Sequence, residues 1–264
     1  MNACRIGSIA RRALCVGSAA FLVITTGASA FAAELELGGG KSKKGDAQDY
    51  KYTLQLDSLS CKESMTDKAG EKDAVTIVLR LTEKVSTEAQ PVTTIAVICR
   101  EGARIPLEDA ETNKPIVLYS GPLKSDLELT TNIYVALPKG FSNVRDALKK
   151  YAAATGTTLQ TVGAGTGEPG LVLAGTALKQ DEVKGVVADA LTEVWKAAAE
   201  TTCKDRVKWT KGSIKTKKRA KLLAHANQGS FKLKGFKKKQ WCLGIESGKI
   251  KYDLNARLVK EPAA

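Results

Sequence analysis

Apolar and polar residues alternate in several separate stretches of this chain, and each alternation predicts a half-buried strand. Tyr52, Leu54 and Leu56 alternate with Thr53, Gln55 and Asp57. Val75, Ile77, Leu79 and Leu81 repeat the period, and Ile95, Val97 and Cys99 make a further run. Ile116 to Tyr119 is a short apolar run closed by Ser120-Gly121-Pro122, and Leu127 to Leu137 alternates over a full strand. Pro138-Lys139-Gly140 reads as a turn, because proline presets one dihedral and glycine permits a positive one. Lys62 to Asp73, rich in charge, reads as a loop.

The period then lengthens to that of a helix. Ser142 or Asn143 is the expected cap of a helix with Val144, Leu148, Tyr151 and Ala152 on one face, ending before Gly156. Asp181 is the expected cap of a second helix, whose apolar face carries Val183, Val186, Val187, Ala190, Leu191, Val194, Trp195 and Ala198. Asp189, Glu193, Lys196 and Glu200 lie opposite, so the apolar face is expected to pack on the sheet. Between the helices, the glycine-rich residues 163–170 read as a loop. Strand-like alternation returns from Lys249 to Val259 with Ile250, Tyr252 and Leu254. The fold class expected is mainly β (α+β), an antiparallel β-sandwich-like domain with a helical insertion at about 141–202. Residues 50–264 are expected to form a single β-rich domain, and residues 33–49 a flexible leader.

Residues 1–32 read as a signal peptide: Arg5, Arg11 and Arg12 precede the apolar run Ala13–Ile24, which leads to the cleavage choices Ala28-Ser29-Ala30 and Ala30-Phe31-Ala32. Arg11-Arg12 also allows a twin-arginine signal. The expected location is therefore secreted or periplasmic, with no transmembrane segment in the mature chain. Cys61, Cys99, Cys203 and Cys242 remain after cleavage, an even number suited to disulfides. The pairing local in sequence, Cys61–Cys99 and Cys203–Cys242, is the one expected.

Charge changes the picture most. Between Cys203 and Cys242 the only acid is Asp205, and the excess of lysine and arginine over it equals the formal net charge of the whole chain, +13. The rest of the protein is neutral, so the basicity marks a surface for polyanions. The residues expected to bind are Lys215, Lys217, Lys218, Arg219, Lys221, Lys232, Lys234, Lys237, Lys238 and Lys239, with Trp209 and Trp241 as stacking platforms. Arginine occurs there only as Arg206 and Arg219, and this shortage of planar forks points to diffuse attraction without sequence-specific nucleic-acid reading.

Other chemistries fit poorly. Gly165-x-Gly167-x-x-Gly170 has the dinucleotide spacing, yet Pro169 interrupts it and Glu168 would repel a phosphate. His225 is the sole histidine, which removes two-histidine metal motifs, and no acid is near it in sequence. Asp109-Ala110-Glu111 begins like a calcium loop, but Lys114 replaces the required glycine. Glu63, Asp67, Glu71 and Asp73 could form a looser cation site, although interleaved lysines suit a solvated loop better. No cofactor, metal or catalytic residue is assigned. The expectation is an exported, non-enzymatic protein binding an anionic polymer or surface: acidic polysaccharide, lipid headgroups or nucleic acid. The alternatives are a hydrolase of an acidic substrate, using carboxylates or His225, and an envelope interaction protein docking a protein partner through the acidic face of its second helix.

Overall fold

A computed structural model of the protein describes residues 50–65, 72–84, 91–163, 169–175, 179–199, 208–242 and 245–263. Two antiparallel sheets pack face to face. The first has the order β10 (Ser230–Cys242), β11 (Ile245–Pro262), β1 (Tyr50–Glu63), β4 (Arg104–Pro106), and β5 (Val117–Gly121) also pairs with β1. The second runs β7 (Thr158–Val162), β8 (Gly170–Gly175), β3 (Val92–Arg100), β2 (Lys72–Glu83), β6 (Leu127–Ala136), β9 (Lys208–Lys217). The helices are α1 (Lys139–Thr155), α2 (Gln180–Ala199) and the short α3 (Arg219–Leu223).

The alternating residues meet in the space between the sheets. Leu54, Leu56, Leu59, Tyr252 and Leu254 of the first sheet share one buried cluster with Val75, Ile77, Leu79, Ile95 and Leu129 of the second. The other face of the second sheet is also covered: Ala74, Val78, Ala96, Tyr134 and Leu173 pack with Phe141, Val144 and Leu148 of α1 and Val183, Val187 and Leu191 of α2. The expected packing of the apolar face of α2 on the sheet is thus observed. Burial on both faces explains why β2 is nearly continuous in apolar residues, whereas β1 alternates cleanly. Each such aliphatic side chain taken out of water contributes about 1.5–3 kcal/mol.

Several expectations change in detail. β1 bulges at Asp57, where its register with β11 shifts, and continues inward with Leu59 and Cys61 to end at Glu63. The Cys61–Cys99 disulfide joins β1 to β3 across the two sheets, with Cα atoms 6.0 Å apart. Cys203, and the side chain of Cys242, fall outside the described residues. Pro138-Lys139-Gly140 makes a turn, Gly140 N donating to the Leu137 carbonyl at 2.9 Å, and leads directly into α1; Ser142 sits inside the helix's first turns, its hydroxyl donating to the Lys139 carbonyl. Proline suits such a helix start, since its missing N–H has no partner there anyway. Gly156 ends α1 in the left-handed region at φ 66°, as its position predicts. Asp181 lies within the first turn of α2 rather than ahead of it.

The glycine-rich residues 163–170, read as a loop joining the helices, instead separate the two strands of a β-hairpin, β7–β8, which extends the second sheet beyond β3. Residues 164–168 lie outside the described ones. Gly170 has a steric reason: a Cβ there would sit 2.5 Å from Val97 Cγ1 and 3.0 Å from the Ala96 carbonyl oxygen. Asp109 closes a local turn, accepting from the backbone N–H groups of Glu111 and Thr112 and from the Thr112 hydroxyl. Asp73 is fully buried, not part of a solvated loop. It accepts from the Tyr252 hydroxyl and from Met65 N at 2.7 Å. Burial and the neighbouring Asp73 carboxylate both push the Tyr252 phenol upward. Glu63 faces Lys251 at 3.5 Å, and Asp67 and Glu71 lie outside the described residues.

Candidate anion-binding site

The basic segment folds as two edge strands joined by α3. β9 ends the second sheet and β10 ends the first, and the two edges meet on one side of the sandwich. β9 pairs with β6 so that Lys217, Lys215 and Ser213 stand opposite Leu127, Leu129 and Thr131. Leu127 and Leu129 point into the core, so the β9 side chains beside them project into the opening between the sheets. Two contacts bridge that opening. The Lys217 Nζ donates to the Leu233 carbonyl, and Lys234 Nζ donates to Ser213 Oγ at 2.7 Å.

The connection between the strands is held at both ends. Leu222 of α3 is buried, and Asp126 accepts from Arg219 N at 2.8 Å and pairs with Lys218 Nζ at 3.1 Å. These donors hold the Asp126 carboxyl below its usual range, the Arg219 N–H first and the Lys218 ammonium next. Arg219 Nε donates to the Leu123 carbonyl at 2.7 Å. Beyond α3, Asn227 adopts φ 56° and its side chain accepts from Lys260 N at 2.9 Å, returning the chain to β10 beside β11.

Between β9, α3 and β10 lies a pocket of about 270 Å³. Lys215, Lys217, Lys218, Lys221 and Lys232 line it, and among the described residues no carboxylate does. His225, Phe231 and Leu222 complete the wall, with the His225 and Phe231 rings stacked at 4.4 Å between centroids and 4° between planes. Burial lowers Lys217 to about 8, with the charges of Lys215 and Lys234 adding to the effect. Lys234 is lowered in the same way, by burial and then by Lys215. Ammonium groups pushed down by one another form a positive field that a bound anion would neutralise.

The structure therefore divides the residues expected to bind. Lys215, Lys217, Lys218, Lys221 and Lys232 converge on the pocket. Arg219 Nε donates to the Leu123 carbonyl, and Lys234 Nζ to the Ser213 hydroxyl. Lys237, Lys238 and Lys239 continue along β10, opposite Lys251, Ile250 and Lys249 of β11. Lys237 and Lys239 thus stand across from lysines, and like charges directly opposite each other cost stability. Trp209 and Trp241 lie in β9 and β10, with side chains outside the described ones. His225 and Phe231 were not selected from the sequence as binding residues, and no spacing rule would pair them. Phe236, the other aromatic of β10 with a described side chain, is buried in the core.

A second pocket, also of about 270 Å³, opens beside β1, β4 and β11, and its charges are balanced. Asp57 accepts from Arg104 at 2.7 Å, from the Ser58 and Ser230 hydroxyls at 2.9 Å, and from Arg257. Burial alone would raise the Asp57 carboxyl, but these partners outweigh it and hold the group at about 2. Such a carboxylate is a structural anchor, too acidic for a general base at neutral pH. Among the described residues, no carboxylate hydrogen-bonds His225, whose ring stacks on Phe231. No family model, curated protein or solved structure matches this chain, so the site is read from its own residues.

Proposed function

We propose that the protein is an exported, non-enzymatic binding protein whose β9–α3–β10 edge engages an anionic polymer or surface. Acidic polysaccharide, lipid headgroups and nucleic acid bound without sequence reading share the required chemistry. The observation that carries the reading is the pocket at the open edge of the sandwich, lined by lysines and, among the described residues, by no carboxylate. The lysines along β10 extend the positive surface away from it, so a polymer could be followed over several charges. Export is supported by the signal-like residues 1–32 and by the Cys61–Cys99 disulfide, a bond that persists in oxidising compartments. Among the described residues, no helix is long and apolar enough to cross a membrane.

The test compares charge-neutralised forms of the full, oxidised chain on immobilised heparin. Lys215→Gln/Lys218→Gln/Lys221→Gln should lose affinity by at least tenfold, the equivalent of about 1.4 kcal/mol. Changing Lys124, Lys149 and Lys150 to Gln, all outside the basic segment, should leave it within twofold. Equal loss in both forms would reduce the pocket to one part of a general charge effect and overturn the proposal. Duplex DNA and anionic vesicles, run in parallel, rank the ligand classes.

A further inference from the structure

Lys217 differs from the other lysines of the pocket in its surroundings. Lys218 has Asp126 as a counterion and Lys232 has Asp253 at 3.4 Å, while Lys221 is exposed. Lys217 is half-buried where the sheets meet, its Nζ held by a backbone carbonyl, with lysines on either side of it in place of an acid. The groups around it are Lys215 on β9, Lys218 and Lys221 at α3, His225 after it, and Lys232 and Lys234 on β10. All are basic. A lysine desolvated among cations is the arrangement that turns an ammonium into a nucleophilic amine.

The cavity in front of it has the matching form. Its volume of about 270 Å³ lies just below the ~300 Å³ at which pockets for drug-sized ligands begin, so it suits a small molecule. The stacked His225 and Phe231 rings offer a flat wall, and Lys215, Lys218 and Lys221 offer charge for an anionic substituent. We propose that Lys217 is a nucleophilic amine and that its pocket takes small carbonyl compounds bearing an anionic group, forming an imine on Nζ. The neutral amine adds its lone pair to the carbonyl carbon to give a carbinolamine. The carbonyl oxygen then leaves as water, carrying both protons from the nitrogen, and no redox change occurs. With Lys217 at about 8, roughly a fifth of it is neutral at pH 7.4, against less than about 0.1% for an ordinary lysine. The preference for an anionic substituent rests on the proposed function; the nucleophilicity of Lys217 stands without it.

The experiment treats the full, oxidised chain with substoichiometric pyridoxal 5′-phosphate or with pyridoxal at pH 7.4. Borohydride then reduces any imine to a stable secondary amine, and peptide mapping locates it. The expected result is at least tenfold more adduct on Lys217 than on Lys221 or Lys237, and severalfold more with the phosphorylated reagent. Lys217→Arg should remove the preferred adduct. Lys215→Gln should move the pH midpoint of labelling upward from about 8, a shift that a merely more accessible lysine would not show. Should Lys217→Arg fail to fold, protection of wild-type Lys217 by inorganic phosphate serves in its place. Labelling spread evenly over the exposed lysines would overturn the nucleophile. Equal labelling of Lys217 by both reagents would overturn the anionic preference. Heparin affinity of the unlabelled wild type, measured on the same preparation, shows separately whether the polyanion reading stands.

Discussion

Asp57 shows how one residue fixes a local shape. It sits at the bulge of β1, with its side chain almost wholly buried and gripped by Arg104, Arg257, Ser58 and Ser230. Its carboxyl is depressed from 3.8 to about 2, so the stabilisation it supplies is complete above about pH 4 and lost as pH falls through about 2. Asp57→Asn should therefore cost about 2 kcal/mol at neutral pH and flatten the stability curve over that acid range. Chemical denaturation at pH 7, 4 and 2.5 checks this; an unchanged curve would contradict it. The sequence marked Asp57 only as a polar position in an alternation. Its partners come from 47 and 173 residues away, a distance that no local pattern encodes. The same holds for Arg219 and Lys234, whose Nε and Nζ donate to the Leu123 carbonyl and the Ser213 hydroxyl from 96 and 21 residues away.

At the scale of elements, periodicity was a good guide wherever one face was buried and the other wet. β1 and β11 were legible for that reason, as was the packing face of α2, while β2, β3 and β6, buried on both faces, showed through the aliphatic residues that alternate toward the other sheet. The β7–β8 hairpin was not, because Gly170, needed for close approach to β3, looks like a loop residue until β3 is in place. The bulge between Lys232 and Lys234 likewise defeats simple alternation, sending Lys234 toward β9 rather than outward. The two basic strands serve the fold as well. Lysines on exposed edges discourage pairing with other chains, and both β9 and β10 are terminal strands of their sheets. Their charge nevertheless goes beyond that need, as the lysine pairs across β10 and β11 indicate. Lys237→Glu should weaken heparin binding, while stability should change by less than about 0.5 kcal/mol because Glu63 already partners Lys251. Thermal unfolding read beside affinity checks both. Unchanged heparin affinity would show that Lys237 takes no part in binding.

For the molecule as a whole, the two faces of the sandwich have different roles. α1 and α2 cover the second sheet, while the first carries polar and basic residues such as Lys62, Arg104, Lys232 and Arg257 on its outer side. The Cys61–Cys99 bond ties the sheets together, and the chain-entropy account gives a crosslink of this span roughly 3.5–4 kcal/mol. The positive edge is thus built on a braced framework, which lets lysines repel one another without opening the fold. The sequence located the charge but not its geometry, since convergence on one pocket depends on two sheet edges meeting. The most direct measurement is the affinity of the full, oxidised chain for heparin across a salt series from about 50 to 500 mM. Engagement of about four anionic groups predicts a log–log slope of about −3 or steeper, taking the duplex-DNA value of ~0.9 per phosphate as a guide. Absence of binding at the low-salt end, or a slope near zero, would contradict the account and leave the lysines as a solvated edge.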